Sequence, residues 1–304
     1  MTKRAAGRWA RLATEQRNPR SKKLDTLPTE RVVALVLDED RRALVAASRA
    51  KRAIARAARL LARTLEKGSD VVFLGAGTSG RLGVLEAAEC PPTFGTPPQR
   101  IRAVIAGGNA SVFLGREGAE DRADLGRREG RRLHAGDLLL AISASAVTPF
   151  VRAALVGARA RGARTVLVCC AARPPAGRIA DVSIALASGP EVLAGSTRLK
   201  AGSATKAALN ALTTAAMVQL GKVYQNLMVD VRPTSAKLAD RARRIVCLAS
   251  GLGVRDAARV LAEAEGDVKT AIVMGLLGVP ADVARVRLAR ARGHLRRALA
   301  RGGR

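Results

Sequence analysis

Aromatic and histidine side chains are scarce in this chain of 304 residues. Phe, Trp and Tyr together make up 2% of the sequence, with a single Trp and a single Tyr. The chain therefore offers few residues for a nucleic-acid site that stacks bases on aromatic rings. The chain has only two histidines, His134 and His294, and four cysteines without a C-x-x-C pair. We therefore expect neither a metal site nor a bound cofactor.

Long apolar runs and acidic residues are also lacking. No 18-residue apolar run and no signal peptide appears, so we expect a cytoplasmic protein without a membrane partner. The 53 basic residues outnumber the 25 acidic ones, which gives a formal charge of +28. Because the arginines are scattered singly along apparent helices, they predict a solvated basic surface. Such a surface favours weak, non-specific binding of polyanions over a specific nucleic-acid partner.

The stretch Val71–Leu82 organises the rest of the chain. Four apolar residues predict a short buried strand, and Gly75, Gly77 and Gly80 follow it before a helix begins. Glycines let the backbone turn sharply there, and the helix start offers free N–H groups and a positive dipole end to a phosphate. The alternatives are a tight turn without a ligand and a dinucleotide site.

The dinucleotide alternative is poorly supported, although the three glycines fit its G-x-G-x-x-G spacing. Such a site needs an acidic residue at the end of the second strand, about 20 residues further on. The strand predicted at Ile101–Ala106 ends in two glycines instead. The hydroxyls of Thr78 and Ser79 inside the turn favour a sugar phosphate.

Alternating strands and helices predict an α/β fold with a parallel sheet covered by helices on both faces. The predicted strands are Val71–Leu74, Ile101–Ala106, Asp137–Ser143, Thr165–Cys170 and Val182–Ala187. The predicted helices between them cover residues 79–89, 110–133, 149–161 and 176–180. A further long helix is predicted to open at Ser196 and run to Gly221, with its start forming a wall of the ligand site.

Three segments are expected along the chain. Residues 1–45 form an arm and a helix, and a second helix is predicted from Ala43 to Leu65. Residues 46–235 form the sheet domain. Residues 236–304 form a small bundle of short helices, in which Asp267 caps the third helix and a basic helix after Pro280 runs to the C-terminus.

Several blocks of sequence resemble the N-acetylmuramic acid 6-phosphate etherases. The blocks are Thr14–Pro19, Gly75–Gly83, Glu89–Gly95, Glu117–Asp121, Gly195–Gly202, Asn226–Val231 and Gly266–Ile272. The resemblance covers residues 14 to about 300. It implies a sugar isomerase (SIS) domain, a C-terminal bundle similar to ubiquitin-associated domains, and a homodimer. It also implies a lyase that converts N-acetylmuramic acid 6-phosphate into N-acetylglucosamine 6-phosphate and D-lactate.

Two glutamates match the positions that such a reaction needs. Loss of lactate from carbon three requires a base for the proton on carbon two and an acid for the leaving oxygen. By resemblance Glu89 is the acid and Glu120 the base, whereas without the resemblance each would be a solvated surface side chain. The residues expected to hold the sugar phosphate are Gly77, Thr78, Ser79, Gly80, Ser145, Thr148 and Ser196.

One loop departs from the family pattern. The family typically has Ala-Ser-Gly-Arg-Thr-Pro where this chain has Ala144–Pro149, with Ala146 in place of the glycine and Val147 in place of the arginine. If the glycine position requires a positive φ, Ala146 strains the loop by about 1 kcal/mol. The lost cation predicts weaker phosphate binding. The departure favours one alternative, a non-catalytic sugar-phosphate sensor similar to glucokinase regulatory proteins. Charge alone suggests another, a sugar-responsive DNA-binding regulator.

Overall fold

The computed structural model describes residues 9–10, 12–174, 179–231 and 235–300. The chain forms two compact units: one contains the residues up to Ala87 together with Gln99–Thr213, and the other contains Ala88–Pro98 and the residues from Thr214 onward. The boundary predicted after residue 45 lies within a helix, and the boundary predicted after residue 235 precedes one. The three-segment division stays a prediction.

The first unit contains a five-stranded parallel sheet flanked by helices. Its strands are β1 (Val71–Gly75), β2 (Ile101–Ile105), β3 (Leu138–Ile142), β4 (Arg164–Cys169) and β5 (Val182–Ala185). Its helices are α1 (Thr29–Arg49), α2 (Lys51–Glu66), α3 (Gly77–Phe94), α4 (Ala123–Arg131), α5 (Pro149–Arg159) and α6 (Lys200–Gln219), and the last parts of α3 and α6 belong to the second unit. The five predicted strands are confirmed.

The strand order is β2-β1-β3-β4-β5. It places the loop after β1, which carries Thr78 and Ser79, beside the loop after β3, which carries Ser145 and Thr148. Gly75, at the end of β1, pairs in register with Ile105 of β2 and Ile142 of β3, so these strands end at the same edge. The chain order reverses between β1 and β3. In open sheets of this kind, ligands bind outside the carboxyl ends of the strands at that reversal.

Buried aliphatic residues line the strands, as their near-continuous apolar runs predict for a sheet covered on both faces. Every residue of β1 and β3 is buried. Val72, Leu139 and Leu167 pack in one apolar cluster with Phe150 and Leu155 of α5. The core is therefore built almost entirely of Val, Leu, Ile and Ala, in keeping with the scarcity of aromatic residues.

Several predicted helix bounds are wrong. The helix predicted to begin at Ala43 is instead the end of α1 followed by α2, with the break at Ala50. Over residues 110–122 there are two short 3-10 turns rather than a helix, because Gly107, Gly108 and Gly118 adopt positive φ angles. Residues 176–178 of the helix predicted at 176–180 lie outside the described residues.

Helices α3 and α6 also differ from their predicted bounds. Helix α3 continues beyond residue 89 through Pro91 and Pro92, which lack the N–H that would bond the preceding turn. The N–H of Gly95 still donates to the carbonyl of Pro91 at 2.9 Å, so the last turn closes. Helix α6 begins at Lys200 rather than at Ser196.

The second unit is a helical bundle with a two-stranded hairpin. The hairpin pairs β6 (Val223–Tyr224) with β7 (Leu227–Met228), and the helices are α7 (Ala236–Ser250), α8 (Val254–Glu263), α9 (Val268–Leu277), α10 (Ala281–Arg290) and α11 (Leu295–Leu299). Asp267 caps α9 as predicted, since its carboxylate accepts the N–H of Thr270 at 2.6 Å. The single basic helix predicted after Pro280 is instead two helices, separated where Arg292 and Gly293 adopt positive φ angles.

Among the described residues, no helix combines the length and apolar character needed to cross a bilayer.

Candidate functional site

The loop after β1 owes its shape to three glycines with different roles. A Cβ on Gly75 would lie 2.7 Å from the amide nitrogen of Gly80, and one on Gly80 would lie 2.6 Å from Ile105 and 2.8 Å from the carbonyl of Gly75. These two glycines let α3 pack directly on β1. Gly77 has open space around it and a φ of +53°, so its role is conformational. Thr78 and Ser79 follow in the first turn of α3, whose N–H groups have no acceptor within the helix.

The loop after β3 is closed by its own hydroxyl groups. The Oγ atom of Ser143 lies 2.8 Å from Oγ1 of Thr148 and accepts the N–H of Ala146 at 3.1 Å. The Oγ atom of Ser145 accepts the N–H of Val147 at 3.3 Å. Thr148 then precedes Pro149, the first residue of α5. Ala146 adopts a φ of +62°, so the position does require a positive φ, the condition under which the sequence predicts strain here.

The two loops bound a cavity of about 270 Å³. Of the predicted site residues, it is lined by Gly77, Thr78, Ser79, Glu120, Ser145 and Thr148. Gly80 instead contacts Gly75 beneath the loop. Ser196 does not line the cavity, but its neighbours Gly195 and Thr197 do. Hydroxyl groups and the N-terminus of α3 make this a place for an anion.

The N-terminal arm supplies two cavity residues that were not among the predicted site residues. Thr14 and Glu15 line the cavity beside the two loops. The carbonyl of Thr14 accepts the N–H of Gly195 at 3.0 Å, and the hydroxyl of Thr14 donates to the Glu15 carboxylate at 3.2 Å. Because Thr14 and Gly195 are about 180 positions apart, no local pattern indicates their contact. The signal that was available is that both residues belong to the block Thr14–Pro19.

A buried carboxylate anchors this arm. Glu39 on α1 is 1% exposed. Its carboxylate accepts hydrogen bonds from Nδ2 of Asn18 at 3.0 Å and from Arg20 at 2.7 Å. It also forms an ion pair with buried Lys200. Burial raises the pKa of Glu39, but the hydrogen bonds from Lys200, Arg20 and Asn18 outweigh it and leave the pKa below its usual value. Glu39 therefore stays ionised and ties the arm to the start of α6.

A second buried carboxylate, Glu191, fixes where α6 begins. It accepts the backbone N–H of Lys200 at 2.9 Å and that of Ala201 at 2.8 Å. Burial raises the pKa of Glu191 despite these two hydrogen bonds. The cap lies nine residues before the helix in sequence, whereas a capping side chain is normally sought immediately before it. This explains why the predicted start at Ser196 is four residues early.

Glu120 stands at the boundary between two cavities. It lies on the 3-10 turn Ala119–Asp121, which follows Gly118 at a φ of +72°. Glu120 and Gly77 line both the cavity of the two loops and an adjoining one of about 280 Å³. One carboxylate is thus placed beside the hydroxyl loops, where it can accept a proton from a bound molecule.

Glu89 lies outside the residues that line either cavity, on an exposed part of α3 that belongs to the second unit. Three blocks of the family resemblance meet just beyond it. Gly95, at a φ of +61°, leaves no room for a side chain, because a Cβ there would lie 2.4 Å from the carbonyl of Asp230. The Asp230 carboxylate forms ion pairs with Lys222 at 2.8 Å and with Lys269 at 2.9 Å. Burial lowers the pKa of Lys269. This cluster fixes the end of the helix that carries Glu89.

In the part of the chain that the structure describes, no group of three or more His, Cys, Asp or Glu residues is placed to hold a metal ion.

Comparison with known proteins finds two matching domain models and relatives that are similar over nearly the whole chain. The model of the glucokinase regulatory protein N-terminal SIS domain matches residues 53–158, and the SIS domain model matches residues 127–215. An N-acetylmuramic acid 6-phosphate etherase from Rubrobacter xylanophilus is 48% identical over 98% of this chain and 99% of its own. The etherase of Photorhabdus laumondii is 43% identical over 94% and 95%. Among solved structures, the sugar isomerase domain of the RpiR transcription factor from Sphaerobacter thermophilus aligns with a TM-score of 0.45 at 20% identity, covering 62% of this chain and 90% of that one.

Proposed function

The chain belongs to the N-acetylmuramic acid 6-phosphate etherase family, and on that premise we propose that it cleaves the D-lactyl ether of N-acetylmuramic acid 6-phosphate. The products are N-acetylglucosamine 6-phosphate and D-lactate. One observation carries the proposal for the site: Glu120 lines the same cavity as the hydroxyl groups of both loops. A proton acceptor and the hydroxyl groups that hold the phosphate then face the same bound sugar.

The 6-phosphate is held by the two loops and the start of α3. Ser79 and Thr78 offer hydroxyl donors in the first turn of that helix, where the backbone N–H groups and the helix dipole attract an anion. Ser145 lies across the cavity on the loop after β3. Among the described residues, the lining contains no lysine or arginine, so phosphate recognition there rests on hydrogen bonds.

The reaction is an elimination followed by addition of water. In the open-chain sugar, the proton on carbon two is acidified by the neighbouring aldehyde, and Glu120 removes it. The bond between carbon three and the ether oxygen breaks, and the departing lactate oxygen takes a proton from Glu89. The resulting unsaturated aldehyde adds water at carbon three and regains a proton at carbon two. Each proton transfer by a positioned side chain is worth about 10²–10⁴-fold in rate.

Replacing each glutamate by glutamine separates the two roles. Glu120→Gln removes the base, so both lactate release and hydrogen exchange at carbon two should fall by about 10²–10⁴-fold. Glu89→Gln cannot donate to the leaving oxygen but leaves the base intact, so lactate release should fall while exchange persists. The measurement is NMR of the substrate in deuterated water, with an assay for free lactate.

The matched control is Asp121→Asn, the acid next to Glu120 in the same block. This variant should retain lactate release. Exchange that persists in Glu120→Gln but is lost in Glu89→Gln would reverse the assigned roles. Full activity in both glutamine variants would place the chemistry on other residues. A wild-type protein that binds the sugar phosphate but releases no lactate would indicate a sensor.

We also propose that the protein is a homodimer. An apolar row on α1 supports this proposal, because Val33, Leu37 and Leu44 are 52–57% exposed on a helix whose other residues include many charges. A second copy of the chain would bury that row. Light scattering should give a mass of two chains, and replacing Leu37 and Leu44 by aspartate should shift the mass toward one chain. An unchanged mass in the double variant would remove α1 from the interface.

A further inference from the structure

We infer that the cavity adjoining the phosphate cavity binds the carboxylate of the lactyl group, with Arg81, Arg116 and Ser111 as its recognition residues. The inference rests on the proposed function and adds to it the residues that select a substrate with two negative ends. This cavity, of about 280 Å³, shares Gly77 and Glu120 with the phosphate cavity. A ligand that occupies both would pass directly by the Glu120 carboxylate.

Two arginines line the second cavity, whereas no described residue of the phosphate cavity is a lysine or an arginine. The guanidinium of Arg81 is fixed by one hydrogen bond, from Nε to the carbonyl of Val112 at 2.8 Å. That of Arg116 is fixed by a bond from Nη1 to the carbonyl of Gly107 at 3.2 Å. Within the described residues, neither arginine forms an ion pair with a carboxylate. Both therefore keep N–H donors for an anion, and arginine matches a carboxylate with two parallel hydrogen bonds.

A buried hydroxyl at the same cavity has no partner. Ser111 is 4% exposed, and its Oγ atom makes no hydrogen bond within the described part of the chain. A buried hydroxyl without a partner costs about 1–3 kcal/mol, so such groups are normally satisfied. Gly107 gives Ser111 its room, because a Cβ there would lie 2.3 Å from the Oγ atom. A carboxylate oxygen in the cavity would supply the missing acceptor.

The order of groups along the substrate agrees with the order of the cavities. The phosphate is on carbon six and the lactyl ether is on carbon three, so the proton on carbon two lies nearer the lactyl end. Glu120, on the wall common to both cavities, is in a position between the two anionic groups. Glu117 also lines the second cavity and opposes an anion there. Recognition of the carboxylate therefore needs both arginines, and loss of either one should weaken substrate binding.

The test compares two ligands that differ only by the lactyl group. N-acetylglucosamine 6-phosphate keeps the phosphate but lacks the carboxylate, and its inhibition constant reports on the phosphate cavity alone. Arg116→Gln should lower kcat/KM for N-acetylmuramic acid 6-phosphate about 10- to 100-fold. The same variant should leave the inhibition constant of N-acetylglucosamine 6-phosphate within about twofold. Ser111→Ala should act in the same direction by a smaller factor.

Two further variants serve as controls. Ser79→Ala, in the phosphate cavity, should weaken both ligands together. Arg122→Gln removes the same charge six residues away, from an exposed arginine that pairs with Asp124 and does not line the second cavity, and should change neither ligand.

Two results would overturn the inference. Arg116→Gln with unchanged kcat/KM would show that the arginine does not meet the substrate. Equal weakening of both ligands would show that the substitution merely distorts the loop. A wild-type protein without lactate release would instead contradict the proposed function, so the two failures are distinguishable.

Discussion

Gly77 in the loop after β1 and Ala146 in the loop after β3 both adopt a positive φ, +53° and +62° respectively. Each follows the carboxyl end of a central strand: Gly77 is the first residue of α3 and lines the cavity, and Ala146 lies three residues before α5, next to the lining residue Ser145. In one loop the residue is a glycine, which takes this conformation freely. In the other it is an alanine, whose Cβ makes the left-handed region unfavourable by about 1–2 kcal/mol.

The surroundings of the two residues explain the difference. Gly77 has no atoms within 4 Å of the position where a Cβ would be, so nothing would compensate a side chain there. Ala146 is buried within the apolar cluster of α5 and the sheet, and its N–H is held by Ser143. A strained conformation is tolerated where the extra methyl gains contacts and where hydrogen bonds determine the backbone. A residue with a positive φ in such a loop therefore need not be a glycine.

The largest expected effect concerns the glycines that pack beneath the first loop. Gly80→Ala would place a Cβ 2.6 Å from Ile105 and 2.8 Å from the Gly75 carbonyl, so α3 or β1 must shift. We expect a loss of about 3 kcal/mol in the free energy of unfolding. Gly77→Ala meets no neighbour and should lose only about 1 kcal/mol. Urea unfolding of both variants measures the difference. Equal losses would mean that the close packing around Gly80 adds nothing to the cost of a side chain in this loop.

Much of the site follows from sequence because parallel strands end at a common edge. The apolar runs of β1 and β3 and the hydroxyl residues after them were enough to bring Ser79, Ser145 and Thr148 to one cavity. The family block supplied Glu120. Contacts between distant segments carried no local signal. The cap Glu191 and the unpartnered hydroxyl of Ser111 are therefore visible only in the fold, and the arm residue Glu15 was indicated only by its family block.

The error in the helix predicted at 110–133 also arises where the sequence carries no local signal of the backbone conformation. Residues 110–122 contain enough apolar and charged residues to suggest a helix, but Gly118 adopts a positive φ and the stretch forms turns instead. Glu120 lies on the second turn and Arg116 lies between the two turns, so the segment whose structure was predicted wrongly also lines the cavities. Periodicity describes regular elements well and irregular binding loops poorly.

Ala146→Gly should have the smallest effect and tests the explanation of the comparison most closely. Removing the Cβ relieves about 1–2 kcal/mol of left-handed strain. It also removes a buried methyl worth about 0.8 kcal/mol and gives the unfolded chain freedom worth about 0.4–1 kcal/mol. These contributions nearly cancel, so the free energy of unfolding should stay within about 0.5 kcal/mol of the wild type. Urea unfolding with an unchanged m value provides the measurement. A gain above about 1 kcal/mol would mean that the methyl contributes nothing and that the strain at Ala146 is uncompensated, whereas a loss of that size would mean that its packing outweighs the strain.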